Sequence, residues 1–213
     1  MLPALIDISL FRDAIDRDCL ILTPNQRLAA KIIQAWGQQI SQNSTQTCSA
    51  WKQPRVFSVD HWLRACWDEL QDQNHQLVRG LAIVGTQQSR YYWERAIADD
   101  GLEQPANFVK LAGDTLKTLE NWNLSAVQVP GENPSVEYFK RWCGRFDELL
   151  RRNKLLTSQR SWQLVKQGFE QGALKLEPEI VIYGFQSTPP LQATLIASAS
   201  NQVVNLDLAN TQG

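Results

Sequence analysis

Three stretches of the chain bring together side chains that could handle phosphates or bases. The first, Thr23-Pro24-Asn25-Gln26-Arg27-Leu28-Ala29-Ala30-Lys31, opens where the apolar run Cys19–Thr23 ends. A helix starting there offers free amide N–H groups and the positive end of its dipole, which favour anions even without glycine. Asn25, Gln26, Arg27 and Lys31 are therefore candidates for holding a DNA phosphate. The plainer alternative is that Asn25 caps the helix and Arg27 is solvated. A working nucleotide loop asks for more: glycines that turn backbone amides onto the phosphates, then a lysine, then a serine or threonine for magnesium. This stretch has no glycine, and no glycine in the chain precedes a lysine.

The second stretch is residues 135–160, where seven bases (Lys140, Arg141, Arg145, Arg151, Arg152, Lys154, Arg160) face three acids (Glu137, Asp147, Glu148), a local net of +4. Helical spacing puts Arg141, Arg145 and Arg152 on one face, opposite an apolar stripe, where they could track phosphates. Glu148 falls on that same face, so a plain solvated surface competes with this reading. The third is His61 beside Trp62, a pair that could stack a base, against the alternative of a half-buried histidine at a domain junction.

Other chemistries find no footing. Cys19, Cys48, Cys66 and Cys143 are too widely spaced for a C-x-x-C metal or redox site, and with only His61 and His75 there is no H-E-x-x-H pattern. The cysteines are expected to be free buried thiols. No metal or other cofactor is expected, and no Ser-His-Asp or Cys-His arrangement can be argued from these residues.

The elements that must position these side chains can be read from periodicity. Cys19–Thr23 reads as a buried strand, and Leu28, Ile32, Ile33, Trp36 and Ile40 recur at helical spacing after it. Residues 41–54 read as a polar loop and Arg55-Val56-Phe57 as a second strand. Ser58 then caps a helix carrying Leu63, Cys66, Trp67 and Leu70, with Asp60 in its first turn. From about residue 75 to residue 170 only helical patterns are expected, with stripes Phe108/Leu111/Ala112/Thr115/Leu119/Trp122, Phe139/Trp142/Cys143/Phe146/Leu149/Leu150 and Trp162/Val165/Phe169. Glu179–Gly184 reads as a strand, Ser187-Thr188-Pro189-Pro190 as the start of a helix over 191–199, and Val203–Leu208 as a last strand. Strand and helix units at both ends, with helices between, predict a parallel α/β layer interrupted by an all-α insertion.

After its apolar strand, Tyr183-Gly184-Phe185-Gln186-Ser187-Thr188, followed by Gln192, resembles the D-E-F-Q-D-T-x-x-x-Q segment of UvrD/Rep-type helicases. Phe185, Gln186 and Thr188 match that pattern, while Tyr183 and Gly184 stand where it has the acidic pair that holds magnesium and activates water, and Ser187 replaces the second Asp. The order of segments is similar too. It implies a P-loop-NTPase-like sheet of the helicase 1A type, over residues 1–58 and 172–213, interrupted by a 1B-like helical insertion over 59–171. In that frame His61 lies where such helicases touch single-stranded DNA, and the fold would continue beyond Gly213. The phrases LILTPNQRLAAKI, RVFSVDHWLRACWDEL, SRYYWERAI and VIYGFQSTPPLQATLIASA resemble the N-terminal region of AddB-type and related DNA-repair proteins. That resemblance implies an inactivated helicase joined, in a full-length parent, to a PD-(D/E)xK nuclease of which nothing here carries a match.

Composition bounds the partners. The 213 residues carry 21 basic and 22 acidic side chains, a net charge of -1, so any contact with nucleic acid must be local. No apolar run approaches the roughly 20 residues that span a bilayer, and a cytoplasmic protein without membrane contact is expected. Eight tryptophans are more than usual, and their helical spacing assigns most of them to cores. Together these features predict a non-enzymatic domain that positions single-stranded or duplex-end DNA or docks a partner subunit. The alternatives are a protein-interaction scaffold that uses exposed aromatics and, more remotely, a live NTPase with an unorthodox loop.

Overall fold

Leu20–Thr23 is buried at every position, as a strand flanked by neighbours on both sides and covered on both faces must be. It is strand β1 of a computed structural model that describes residues 6–43, 52–98, 100, 106–131 and 133–209. Before it come a 3-10 turn (Ile8–Phe11) and the short helix α1 (Arg12–Asp16). After it the elements run α2 (Gln26–Asn43), β2 (Val56–Ser58), α3 (Val59–Asp72), β3 (Ala82–Ile83), α4 (Thr86–Ala98), α5 (Ala106–Asn121) and α6 (Pro134–Arg152). The chain closes with β4 (Leu155–Leu156), α7 (Ser158–Glu170), β5 (Ile180–Ile182), α8 (Pro190–Ser198), β6 (Val203–Asn205) and a last helical turn, α9 (Leu206–Ala209).

The protein is mixed α/β. Four strands form a parallel sheet in the order β2-β1-β5-β6, with Ile21 opposite both Val56 and Val181. The chain divides into two compact units: one holds Met1–Glu69, Phe169–Thr188 and Ile196–Gly213, the other Leu70–Gly168 and Pro189–Leu195. In the sheet-bearing unit, Ile8, Phe11, Ile21, Ala29, Ile32, Val56 and Val181 form the core, and the Tyr183 ring meets Phe11 edge-on at 4.9 Å. In the helical unit, Trp93, Ile97, Val109, Ala112, Leu116, Trp142, Phe146 and Leu150 pack together, with Trp93 stacked on Phe146 at 4.1 Å. Among the described residues no helix is long and apolar enough to cross a membrane.

Three expectations need correcting. The middle of the chain is not purely helical: β3 and β4 pair in parallel, Ala82 with Leu155 and Ile83 with Leu156. The last strand ends at Asn205 rather than Leu208, because the Asn205 side chain accepts the Asp207 N–H (2.9 Å) and turns the backbone into α9. The face that α5 buries is rotated by one residue from the expected stripe. Val109, Ala112 and Leu116 are buried, whereas Leu111 and Trp122 are 64% and 58% exposed. The Trp93 indole packs on this face, in van der Waals range of Gly113, where a Cβ would meet Nε1 at 3.4 Å.

Of the tryptophans, Trp62, Trp67, Trp93, Trp142 and Trp162 are buried. So are the free thiols Cys19, Cys66 and Cys143, while Cys48 lies outside the described residues.

Candidate nucleic-acid interface

The sheet order creates a switch point between β1 and β5, because β2 lies on one side of β1 and β5 on the other. Ligands of open α/β sheets bind beyond the strand ends at such a point. Here the connection from β1 to α2 is only Pro24-Asn25, too short to wrap a phosphate. The Asn25 carboxamide oxygen accepts the Leu28 N–H at 2.9 Å, so Asn25 is the cap of α2. The buried Thr23 hydroxyl donates to the carbonyls of Asn25 and Phe57, fixing the turn against β2. On the β5 side, Gly184 has φ +82°, and its N–H donates to the Asp207 carboxylate at 2.7 Å. A Cβ at Gly184 would lie 2.4 Å from the Leu28 Cδ2 atom and 3.5 Å from the Pro24 ring. The Leu28 tip and the Pro24 ring thus pack against Gly184 between the ends of β1 and β5.

The remaining sequence candidates of this unit surround that edge without converging. Gln26 accepts a hydrogen bond from the Ser58 hydroxyl at 3.2 Å, and Ser58 in turn accepts the His61 N–H, capping α3. Arg27 is exposed and Lys31 half-buried. His61 is exposed with its ring parallel to Phe57 at 5.5 Å, which leaves one imidazole face to solvent. Among the described residues no three His, Cys, Asp or Glu side chains gather as metal ligands.

The helical unit brings together what the sequence only placed on one face. Arg141, Arg145 and Arg152 line an open groove of about 610 Å3 with Arg95, Gly144, Leu149 and Glu148. Its walls are α4 and α6, which run antiparallel: the Arg145 guanidinium donates to the Ala96 carbonyl (3.1 Å), and the Trp142 indole N–H donates to Asp100, later in α4's direction and earlier in α6's. Amphipathic spacing explains the division of α6, which buries Trp142, Cys143, Phe146 and Leu150 and leaves its arginines outside.

Two acids hold the arginines in place. Asp100 pairs with Arg145 at 3.1 Å and with Arg141 at 3.7 Å. Burial pushes the Asp100 carboxyl up, but hydrogen bonds from Trp142 and Arg145 and the charges of Arg145 and Arg141 outweigh this and hold it below the usual aspartate range. Hydrogen bonds from Arg151 and Arg152 likewise hold Glu148 below the usual glutamate range. Four arginines line the groove against Glu148 in the lining and Asp100 beside it, a balance of four bases to two acids.

Arg95 and Asp100 had escaped sequence reasoning because α4 has no basic run of its own. Gly144 was the legible signal, a glycine in the middle of a 19-residue helix. Elsewhere in this unit the buried Glu120 accepts from Arg160 (2.7 Å) and Thr157 (2.8 Å), and Arg160 also donates to Asp147 (2.7 Å). Burial pushes the Glu120 carboxyl up, against the pull of Arg160 and Thr157. This network ties α5, α6 and α7 together and lies apart from the groove lining. No protein-family model matches the sequence, and no curated protein matches it.

Proposed function

We propose that this chain is a non-catalytic, helicase-derived domain that positions DNA, the N-terminal part of an AddB-like repair or recombination protein. The observation that carries the DNA part is the arginine groove between α4 and α6, where four guanidinium groups gather on a chain whose overall charge is close to zero. Guanidinium forks bind phosphate oxygens in bidentate fashion, and several together give the salt-dependent affinity of a backbone track. The non-catalytic part is supported by the two-residue β1–α2 turn, by Leu28 and Pro24 packed against Gly184, and by Tyr183 and Gly184 at the acidic-motif position. The parallel sheet with a helical segment between β2 and β5 is compatible with the 1A and 1B layout that the sequence resembles.

The test is fluorescence anisotropy of a labelled oligonucleotide with Arg141→Ser and Arg152→Ser, whose side chains are 50% and 69% exposed, so that the fold is retained. Each replacement should weaken binding and make the log-log salt slope shallower by about 0.7 on single strands. Isotherms unchanged across a salt series would refute the assignment. ATP should neither raise the melting temperature nor alter DNA binding, and a tight ATP-dependent thermal shift would instead support a live NTPase.

A second reading, a protein-docking scaffold, is favoured by one observation. Phe108, Leu111 and Trp122 share an exposed face of α5 and its C-terminal end, with Leu124 and Val127 exposed just beyond. Salt-insensitive absence of DNA binding would shift the balance to it.

A further inference from the structure

We infer that the α4–α6 groove takes an unpaired nucleic-acid strand, its phosphates passing over Gly144 among the arginines and its bases stacking on the Tyr91–Arg95 and Tyr138–Arg141 pairs. This rests on the reading of the groove as the DNA-binding surface and narrows it to single strands.

Gly144 is the first reason. A glycine inside a helix costs about 1 kcal/mol relative to alanine, so its presence needs a cause. Gly144 has no positive φ, and a Cβ built on it would meet nothing within 4 Å. No packing or backbone requirement within the described fold therefore calls for glycine. What the missing side chain provides is depth in the groove that Gly144 lines. Close approach of an extended backbone is a standard use of a bare Cα.

The tyrosines are the second reason. On each of the two helices a groove-lining arginine is preceded, one turn earlier and just outside the lining, by a tyrosine. The Arg95 guanidinium donates to the Tyr91 hydroxyl (3.1 Å) and lies 5.8 Å from the ring centroid, while Arg141 lies 4.9 Å over the Tyr138 ring. Tyr91 is 50% and Tyr138 36% exposed, and the buried Trp142 backs Tyr138 at 5.9 Å. Because α4 and α6 are antiparallel, Tyr138 stands beyond the Arg141 end and Tyr91 one turn past Arg95 toward the Arg152 end. Bases of a duplex are already stacked on one another, so exposed rings and guanidinium planes add affinity only where bases are unpaired. From Tyr138 to Arg152 along α6 is about 21 Å at 1.5 Å per residue, the length of a short single-stranded site.

The experiment uses the full chain, a fluorescein-labelled dT10 strand and a blunt ten-base-pair duplex, at low and moderate salt. The strand should bind at least about tenfold more tightly than the duplex. Tyr91→Ala and Tyr138→Ala should each weaken strand binding about fivefold or more and leave duplex binding unchanged. Gly144→Leu, which fills the groove on a solvent-facing position, should weaken strand binding about tenfold while the melting temperature holds or rises. Should Gly144→Leu fail to fold, the two tyrosine variants still decide. Duplex binding equal to or stronger than strand binding, yet still weakened by Arg141→Ser and Arg152→Ser, would overturn the single-strand inference and leave the DNA reading standing. Binding of neither oligonucleotide removes both. A labelled acidic peptide that binds where both oligonucleotides fail would identify the groove as a protein dock.

Discussion

Replacing Gly184 by alanine tests whether the crevice beyond the ends of β1 and β5 is filled by the protein itself. Two costs follow from the geometry. At φ +82° an L-residue adopts the left-handed region, at about 1 to 2 kcal/mol. Its Cβ would also sit 2.4 Å from Leu28 Cδ2, well inside the roughly 3.5 to 4.0 Å at which carbon atoms rest. Leu28 packs against the core of its unit and must yield by an ångström or more, an overpacking strain of about 1 to 3 kcal/mol. The two ranges sum to about 2 to 5 kcal/mol of lost stability for Gly184→Ala, and the lower part, about 2 to 4 kcal/mol, is expected because a leucine tip can swing. In a Leu28→Ala background the clash disappears and only the backbone cost remains. Urea unfolding followed by tryptophan fluorescence, run as a double-mutant cycle, should give a coupling of about 1 to 3 kcal/mol, with the double mutant more stable than the two single effects predict. Additivity to within about 0.5 kcal/mol would mean that the Leu28 tip is elsewhere and the crevice is open.

Other substitutions probe the helical unit and the groove. Arg160→Met leaves the buried Glu120 without its counter-charge and should cost about 3 kcal/mol in urea unfolding, and a loss under about 1 kcal/mol would show the network to be incidental. Glu120, raised by burial, holds its proton more tightly folded than unfolded. Its contribution is therefore complete below the ordinary glutamate value of about 4.3 and is lost as pH rises through the raised folded value. Asp100 and Glu148, held low, act in the opposite sense, stabilising above the ordinary carboxylate range and losing that contribution as pH falls through their folded values. Glu120→Gln should remove the first dependence and keep the second in melting curves taken against pH, and an unaltered profile would contradict this. Glu148→Gln releases Arg151 and Arg152 and should raise single-strand affinity about fivefold, the effect of one unit charge at close range in water, whereas equal or weaker binding would place the strand elsewhere. Burial pushes the Cys66 and Cys143 thiols up to about 12, so iodoacetamide at pH 8 should modify them only in denaturant, and mass spectrometry showing native labelling would contradict their burial.

Much of the α/β unit was legible because its signals are local. Asn25 and Ser58 cap helices through hydrogen bonds within three residues, and Leu20–Thr23 and Ile180–Ile182 are short apolar runs bounded by turns. What escaped depends on partners distant in the chain. β3 and β4 have two residues each, too few for any period, and exist only because residues 82–83 and 155–156 meet. Apolar residues at 108, 109, 111, 112, 116 and 119 give α5 two overlapping stripes, and the one that is buried carries Gly113 against Trp93 and Glu120 beside Arg160, partners distant in the chain. Arg141, Arg145 and Arg152 were placed on one face by spacing alone, but their restraint by Asp100 and their meeting with Arg95 required the packing of α4 on α6.

The most direct test of DNA positioning without a motor is the salt dependence of single-strand binding, measured by anisotropy with ATP present and absent. Four arginines, three of them shared with Asp100 and Glu148, set an expected log-log slope between about -1.4 and about -2.8, from roughly -0.7 per phosphate neutralised. The account predicts that slope and superimposable isotherms with and without ATP. No binding at low salt, or affinity that requires ATP, would contradict it.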